Sequence, residues 1–495
     1  MPASEELTPR SWKIERLRSG SAPRVLELCS GCGGLSLGLK TAGFELVAHV
    51  EQDSVAAETY SLNFGSVEKQ RPSWSSARDM EKCSAPDLVR DLGLLDPAER
   101  AFDVLAAGLP CQAFARIGRS KLRAVAGEDD AFRSDPRARL YLRFLEFVAD
   151  TQPLVIIIEN VPDILNFGGH NVPEEICEAL EASGYRTAYT ILNSAYYGVP
   201  QIRERFFLIA FAHELRNDPG FPGPTHFLQL PRGYEGSRQV ALKYVSPDSP
   251  RFRSIHDPAP ELTPAIGVRD ALHDLPRVTE HLSDPRALRR RRLTDRLPYR
   301  QTETLTDYAR LMRGWAGLET GRETDGHLIR QTPRDYEIFA RMPYGADYPK
   351  AREVAEGMLK EALAKEGLPL DDVESADYQR VRKAMVPPYD PSKFPNKWWK
   401  MDPAKPSRTL TAHMGKDTYS HIHYDSEQKR MVSVREAARL QSFPDGFRFA
   451  GQMNAAFRQI GNAVPPLLAL EVARSVIGQI RAAVACRTDE SRQAA

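Results

Sequence analysis

A cysteine in a proline turn, a glutamate closing an apolar run and two arginines one residue apart are the side chains with the most chemical reach. Cys111 lies in Gly108-Leu109-Pro110-Cys111-Gln112. Proline restricts the turn, and a thiolate presented from it can attack an electrophilic carbon. A cysteine taken alone is more often a small buried hydrophobe, but a turn after a strand argues for presentation. Glu159 follows Ile156-Ile157-Ile158 and precedes Asn160-Val161-Pro162. A carboxylate there is costly without partners or a reaction to serve; capping a following helix is the plain alternative. In Gln201-Ile202-Arg203-Glu204-Arg205 the alternation predicts Gln201, Arg203 and Arg205 on one face of a strand. An ordinary salt-bridged edge strand would have the same spacing.

A fourth element could hold a cofactor. Glu27-Leu28-Cys29-Ser30-Gly31-Cys32-Gly33-Gly34-Leu35 runs from a short strand through a glycine turn into a helix. Such glycines let backbone approach a ligand, and the helix N-terminus favours polar or anionic groups. Glu51 closes the next strand, 20 residues after Gly31, where a carboxylate can take both hydroxyls of a ribose. Ser36 stands where a dinucleotide turn has its third glycine, which disfavours NAD against S-adenosylmethionine. A tight turn beside an unrelated surface glutamate is the bland account.

The elements that must position these residues alternate between strand and helix. Arg24 to Leu28, Glu45 to Val50, Phe102 to Ala107, Leu154 to Ile158, Arg186 to Leu192 and Arg205 to Phe211 read as strands. Leu35 to Ala42, Leu88 to Leu94 and Arg137 to Ala149 read as helices. The alternation predicts an α/β fold with a parallel, doubly wound, Rossmann-like sheet, whose ligands sit at the carboxyl ends of the strands. After about residue 213 proline, aspartate and arginine become frequent and strand signals few. Ala351 to Glu366 reads as a polar, exposed helix and Trp398-Trp399 as packing. Val434 to Gln441 and Pro466 to Val484 read as helices that complete the α/β unit.

Composition bounds the answer. The 495 residues are 42% hydrophobic and 27% charged, too apolar for a disordered chain. A balance of 67 Lys+Arg against 66 Asp+Glu excludes a histone-like protein but not an enzyme with a local basic face. The apolar runs fall far short of a membrane span, and Met-Pro-Ala-Ser-Glu-Glu lacks the basic, apolar start of a signal peptide. Six scattered cysteines make no disulfide framework, and Cys29-x-x-Cys32 lacks the second pair of a zinc site. A cytoplasmic protein without a metal is expected.

Together and in this order, the motifs resemble the cytosine-5 DNA methyltransferase family of bacterial type. The glycine turn is similar to its cofactor motif, Pro110-Cys111-Gln112 to its nucleophile motif, Glu159-Asn160-Val161 to its ENV motif and Gln201-x-Arg203-x-Arg205 to its QxRxR motif. Arg435-Glu436-Ala437-Ala438-Arg439-Leu440-Gln441-Ser442-Phe443-Pro444-Asp445 resembles its RE-A-RLQ-FPD segment. Gly461-Asn462-Ala463-Val464-Pro465 resembles its final GNAVP motif. The resemblance covers residues 24–211 and 405–480.

The resemblance implies methyl transfer from S-adenosylmethionine to carbon 5 of a cytosine flipped out of duplex DNA. Cys111 would attack carbon 6, and Glu159 would hold the exocyclic amine and ring nitrogen 3. Arg205 would bind the carbonyl oxygen, and Arg203 would brace the loop, Glu159 or a phosphate. The cofactor would be held by Cys29, Gly31, Gly33, Gly34, Leu35, Glu51, Gln52, Asp79, Met80, Gly108, Pro110, Asn462, Ala463 and Val464. Asp91 is the alternative to Asp79 at the adenine amine. DNA contacts would come from Gln112, Arg116, Arg119, Gln201, Arg289 and Arg290. Cys29 replaces a usual phenylalanine and Gln52 a usual apolar residue, so a less apolar adenine pocket is expected. Ala115 replaces a common serine, so one phosphate contact is expected to be missing.

The resemblance divides the chain into a catalytic part over 1–276, a large, irregular target-recognition domain over 277–404 and a completion of the catalytic domain over 405–495. The arginines at 286, 289, 290, 291, 292 and 296 could contact phosphates or form a solvated face. The implied partner is double-stranded DNA, met by a monomer serving a restriction-modification or other phage-defence system. A tRNA methyltransferase of the same fold is the nearest alternative; the long recognition region favours DNA. A binding protein without catalysis would not need Cys111, Glu159 and Arg205, and a NAD oxidoreductase would leave the Pro-Cys-Gln and ENV motifs unexplained.

Overall fold

The computed structural model describes residues 7–65, 72–110, 136–167, 170–231, 234–246, 248–284 and 286–493. The chain divides into two compact units, Met1–Gly198 with Arg203–Pro264 and Ala463–Ala495, and Val199–Ile202 with Ala265–Asn462.

The first unit is built on six strands, β1 (Arg24–Leu28), β2 (Glu45–Val50), β3 (Val104–Ala107), β4 (Val155–Asn160), β5 (Tyr185–Asn193) and β6 (Glu204–Ala212). Their order across the sheet is β2-β1-β3-β4-β6-β5. β1 pairs in parallel with β2 and β3, and β3 in parallel with β4. The central strands β3 and β4 carry unbroken apolar runs, with Val155 to Ile158 fully buried, as strands covered on both faces must be. Helices Gly34–Ala42, Pro136–Thr151 and Val172–Ala182 lie in the connections between parallel strands. The helix expected at 88–94 forms earlier, over Ala85–Leu92, and stops at Gly93 in the left-handed region.

One strand corrects the wholly parallel expectation. β6 runs antiparallel to both β4 and β5. Only residues 194–203 separate β5 from β6, too few for a crossover helix, so the chain turns back on itself. The reversal sets the start of β6 beside the end of β4, where Asn160 pairs with Phe206 and Glu159 with Phe207. The strand matches the expected Arg205 to Phe211 to within one residue at each end, but it does not extend back over the residues that the alternation placed on its face. Gln201 and Arg203 precede it, and Gln201 instead bridges Ser407 within the second unit.

Two glycines let the end of the chain dock on its beginning. Helix Pro466–Gln493 belongs to the first unit. A Cβ on Gly34 would stand 2.3 Å from the Val464 carbonyl oxygen, and one on Gly38 2.5 Å from the backbone and side chain of Ala469. The helices therefore touch backbone to backbone.

In the second unit, helix Tyr348–Glu366 is not the exposed element its composition suggested. Tyr348, Ala351, Ala355, Met358, Leu359 and Leu363 are buried against Trp398 and Ile422. Two alanines on the buried stripe lower its apparent hydrophobicity without exposing it. Trp398 packs as expected, stacked on Tyr419 at 4.5 Å. The charged segment 430–445 is an internal frame: Arg439 lies between Asp274 and Asp445, Arg430 against Glu436, and Arg435 against Asp325. Residues 405–411 form no strand beyond the Ser407 bridge, and a short helix covers Val268–Leu272. The packing unit, opening at Ala265 and closing at Asn462, extends past both edges of the 277–404 region. No helix among the described residues is long and apolar enough to cross a membrane.

Gly38→Ala should destabilise the protein by about 1–3 kcal/mol, the usual range for overpacking. Gly357→Ala, in helix Tyr348–Glu366 with open space around its Cα, should be neutral or stabilising. Urea unfolding of both variants checks this pair; equal midpoints would contradict the close docking at Gly38.

Candidate active site

The end of β4 and the start of β6 bring two charges together. Arg205 sits two places from the residue paired with Glu159, so both side chains share a face of the sheet. Arg205 Nε lies 2.9 Å from Glu159 Oε1, and the residues are only 9% and 8% exposed. Burial pushes the Glu159 carboxyl above its ordinary pKa, while Arg205 and then Arg203 pull it back. Arg203 is fully buried, and its Nη2 donates to the Ala463 carbonyl at 3.2 Å. Asn160 Nδ2 donates to the Leu109 carbonyl at 2.9 Å, which fixes the chain two residues before Cys111. The Gly108 amide donates to Leu28 O at 3.1 Å. A Cβ on Gly108 would stand 3.4 Å from Cys29 O and 3.9 Å from Glu159 Oε2, so this loop runs between the glycine turn and the glutamate. Cys111, Gln112, Arg116 and Arg119, with Ala115, lie outside the described residues, as does the side chain of Arg289.

The turn itself is a tight cradle. Cys29, Gly31 and Gly33 all have positive φ, at 54°, 55° and 92°. Glu51 closes it: Oε2 accepts from the Gly31 amide and Oε1 from the Asp53 amide, each at 2.8 Å. Each oxygen keeps a second lone pair for another donor. Arg78 N donates to Glu51 O at 2.7 Å, and Met80 Sδ lies 4.0 Å from Cys29 Sγ. Asp79 therefore belongs to a loop that touches both Cys29 and Glu51, and Lys82 at 3.0 Å holds its carboxyl below the usual range. Asp91 is an exposed residue of helix Ala85–Leu92. Leu35, Ala463 and Val464 are buried, whereas Gln52, Pro110 and Asn462 are exposed. Burial pushes the Cys29 thiol up to about 12, so it carries little thiolate near neutral pH.

Gln201 is fully buried in the second unit. Its Nε2 donates to Leu440 O at 3.2 Å and to Gln441, and its Oε1 accepts from Leu410 N at 2.8 Å. Of the arginine cluster, Arg291 pairs with Glu280 at 2.7 Å, while Arg286, Arg290, Arg292 and Arg296 are exposed. Among the described residues, no group of three or more His, Cys, Asp or Glu could hold a metal. The sequence reading passed over Ser30, His49 and Tyr60 beneath the glycine turn; a histidine inside the apolar run of β2 was the available signal.

The family model for C-5 cytosine-specific DNA methylase matches residues 23–478. The chain belongs to this family. A protein of Oceanobacillus iheyensis, provisionally named type II methyltransferase M.OihORF3336P, is 35% identical over 92% of this chain and 95% of its own length. The type II methyltransferase M.AgeI of Thalassovita gelatinovora is 32% identical over 92% of this chain and 99% of its own. A prophage-encoded E. coli protein, described provisionally as a DNA modification methyltransferase, shares the fold. Its TM-score is 0.56 at 20% identity, over 93% of this chain and all of that one. In this C-5 cytosine-specific DNA methyltransferase, the glycine turn, Glu51, Gly108, Glu159 and Arg205 thus lie at strand ends of one mostly parallel sheet.

Glu27, in β1 beneath the turn, accepts from Ser36 Oγ, and burial pushes its carboxyl up to about 8. Between its ordinary value of 4.5 and about 8 the folded protein keeps a proton that the unfolded chain has released. This group's contribution to stability is therefore fully present below about 4.5, falls as pH rises, and levels off above about 8. Glu27→Gln should flatten that part of the pH dependence. Urea midpoints for both proteins across this range check it; parallel curves would contradict it.

Proposed function

We propose that this enzyme uses S-adenosylmethionine to methylate carbon 5 of a cytosine flipped out of duplex DNA, through a covalent adduct on Cys111. The observation that carries the reading is the buried Glu159–Arg205 pair at the strand ends, next to the loop that leads to Cys111.

The cradle fits the cofactor. Gly31 and Gly33 adopt conformations that favour glycine, and Glu51 has lone pairs to spare for ribose hydroxyls. Gly31, Gly33, Gly34, Leu35 and Glu51 would hold it, with Cys29, Asp79 and Met80 near the adenine and Gly108, Ala463 and Val464 closing the other side. Bound there, S-adenosylmethionine supplies an electrophilic methyl group.

The protein's own residues prepare the base. Carbon 5 of cytosine is a poor nucleophile. Attack of the Cys111 thiolate on carbon 6 breaks the ring's conjugation and makes carbon 5 nucleophilic. Negative charge then builds on ring nitrogen 3 and the carbonyl oxygen. Glu159, its carboxyl raised by burial, can hold a proton toward nitrogen 3 and accept from the exocyclic amine. Arg205 stabilises the carbonyl oxygen, and Arg203 braces the loop, Glu159 or a phosphate. Loss of the carbon 5 proton and of the Cys111 bond completes the cycle. A base stacked in a duplex is out of reach of these groups, hence the flipping.

Residues 277–404 are assigned to target recognition, with the exposed arginines near 286–296 on phosphates. The type II names of its relatives support host-DNA protection in a restriction-modification or other phage-defence system. The protein would act there as a cytoplasmic monomer.

Bisulfite sequencing of DNA from cells expressing the chain should reveal one methylated sequence context. Its absence from cells expressing Cys111→Ser should match; an unmethylated genome with wild-type protein present would refute the activity. Glu51→Ala should weaken S-adenosylmethionine binding about tenfold or more, since a hydrogen bond to a charged acceptor contributes roughly 1.5–3 kcal/mol. Calorimetry decides this, and unchanged affinity in a folded variant would remove Glu51 from the site.

A further inference from the structure

A buried polar cluster lies beneath the glycine turn, and the chemistry above leaves it unused. His49 stands in β2 two residues before Glu51, within Leu46-Val47-Ala48-His49-Val50, and is 2% exposed. Its Nε2 lies 2.8 Å from Trp74 O, and its Nδ1 lies 2.9 Å from Ser30 Oγ. A carbonyl can only accept, so the network assigns the hydrogen to Nε2. Nδ1 then accepts, and the Ser30 hydroxyl donates to it. Burial drives the imidazole down to about 4, which keeps the ring neutral.

The cluster reaches the glycine turn, the strands beneath it and the 72–80 segment. Tyr60 stacks on the His49 ring at 3.8 Å. The Tyr60 hydroxyl lies 2.7 Å from Ser36 Oγ, which in turn donates to Glu27. Phe64, 4.6 Å from Tyr60, fills the space of the Cβ that Gly33 lacks. Ser30 sits between two residues in the left-handed region, Cys29 and Gly31, so its conformation needs holding from outside the turn. Its amide is held by Val50 O at 3.1 Å, and its hydroxyl by His49. Trp74, at the other end of the imidazole, belongs to the segment that leads to Asp79 and Met80. A phenylalanine would fill the same space and stack on Tyr60 without the cost of burying polar atoms, so packing alone does not call for histidine.

We propose that His49 is a positioning residue for the cofactor site, tying the glycine turn, the Glu51 end of β2 and the 72–80 segment into one preformed cradle for S-adenosylmethionine. The role rests on the cofactor reading above and acts through the two hydrogen bonds of the ring. It therefore affects cofactor affinity, and not the chemical step once the cofactor is bound.

Calorimetry and steady-state kinetics with S-adenosylmethionine on the full chain test it. His49→Phe keeps the stack and loses both bonds; its Kd and KM for the cofactor should rise about tenfold, with kcat at saturation unchanged. His49→Asn, which restores an acceptor toward Ser30, should recover part of the affinity. Nitrogen-15 spectra of histidine-labelled wild-type protein should show the Nε2–H tautomer. Wild-type affinity in His49→Phe, a lowered kcat at unchanged KM, or an Nδ1–H signal would each overturn the proposal. Should His49→Phe fail to fold, Ser30→Ala removes one bond alone, and unchanged affinity there overturns it equally. A wild-type protein that does not bind S-adenosylmethionine sinks the cofactor reading itself; wild-type binding matched by His49→Phe sinks only the role of His49.

Discussion

The ion pair between Arg205 and Glu159 is the interaction on which the crest of the sheet depends. It closes at 2.9 Å across neighbouring strands and is almost wholly buried. Such a pair is a poor device for stability alone, because desolvating two charges costs about as much as their attraction returns. Losing one partner is a different matter: the other is left buried and uncompensated, at a cost of about 3–5 kcal/mol. The pair thus makes both strand ends obligatory neighbours. It also leaves a carboxyl pushed up by burial beside a fixed positive charge that pulls it back. Asn160, the next residue of β4, holds Leu109, so one strand end sets both the pair and the approach to Cys111.

That arrangement follows from the reversal of β6. In a wholly parallel sheet the first residues of a strand lie at the opposite edge from the ligand crevice. Turning β6 around puts its first residues at the carboxyl ends of β1, β3 and β4, and Arg205 with them. The C-terminal part of the chain completes the same unit. Arg203 donates to Ala463 O, and Gly34 and Gly38 accept Val464 and Ala469 without side chains in the way. Ala463-Val464-Pro465 stands far in sequence from the glycine turn because the first unit is closed by residues from both ends of the chain.

The parts legible in the sequence were those with local signals. The glycine turn, the apolar strands and the spacing of Glu51 each rest on neighbouring residues, and each falls where the pattern placed it. What was hidden depends on partners distant in sequence. Alternation put Gln201, Arg203 and Arg205 on one strand face, yet the strand begins only at Glu204, and Gln201 turns to Leu410 and Leu440 instead. Helix Tyr348–Glu366 looked exposed because half of its buried stripe is alanine and tyrosine. His49 went unread because a polar residue in an apolar strand gains meaning only once Ser30 and Trp74 are seen on either side of it.

The central claim is that this crest is built for a covalent cytosine adduct, and a trap for that adduct tests it most directly. Fluorine at carbon 5 cannot leave as a cation, so duplex DNA carrying 5-fluorocytosine at the methylated position should hold the enzyme in a denaturation-resistant complex when S-adenosylmethionine is present. The account predicts that the link maps to Cys111 and disappears in Cys111→Ser. A link through Cys29 or Cys32, or full methylation by Cys111→Ser, would contradict it.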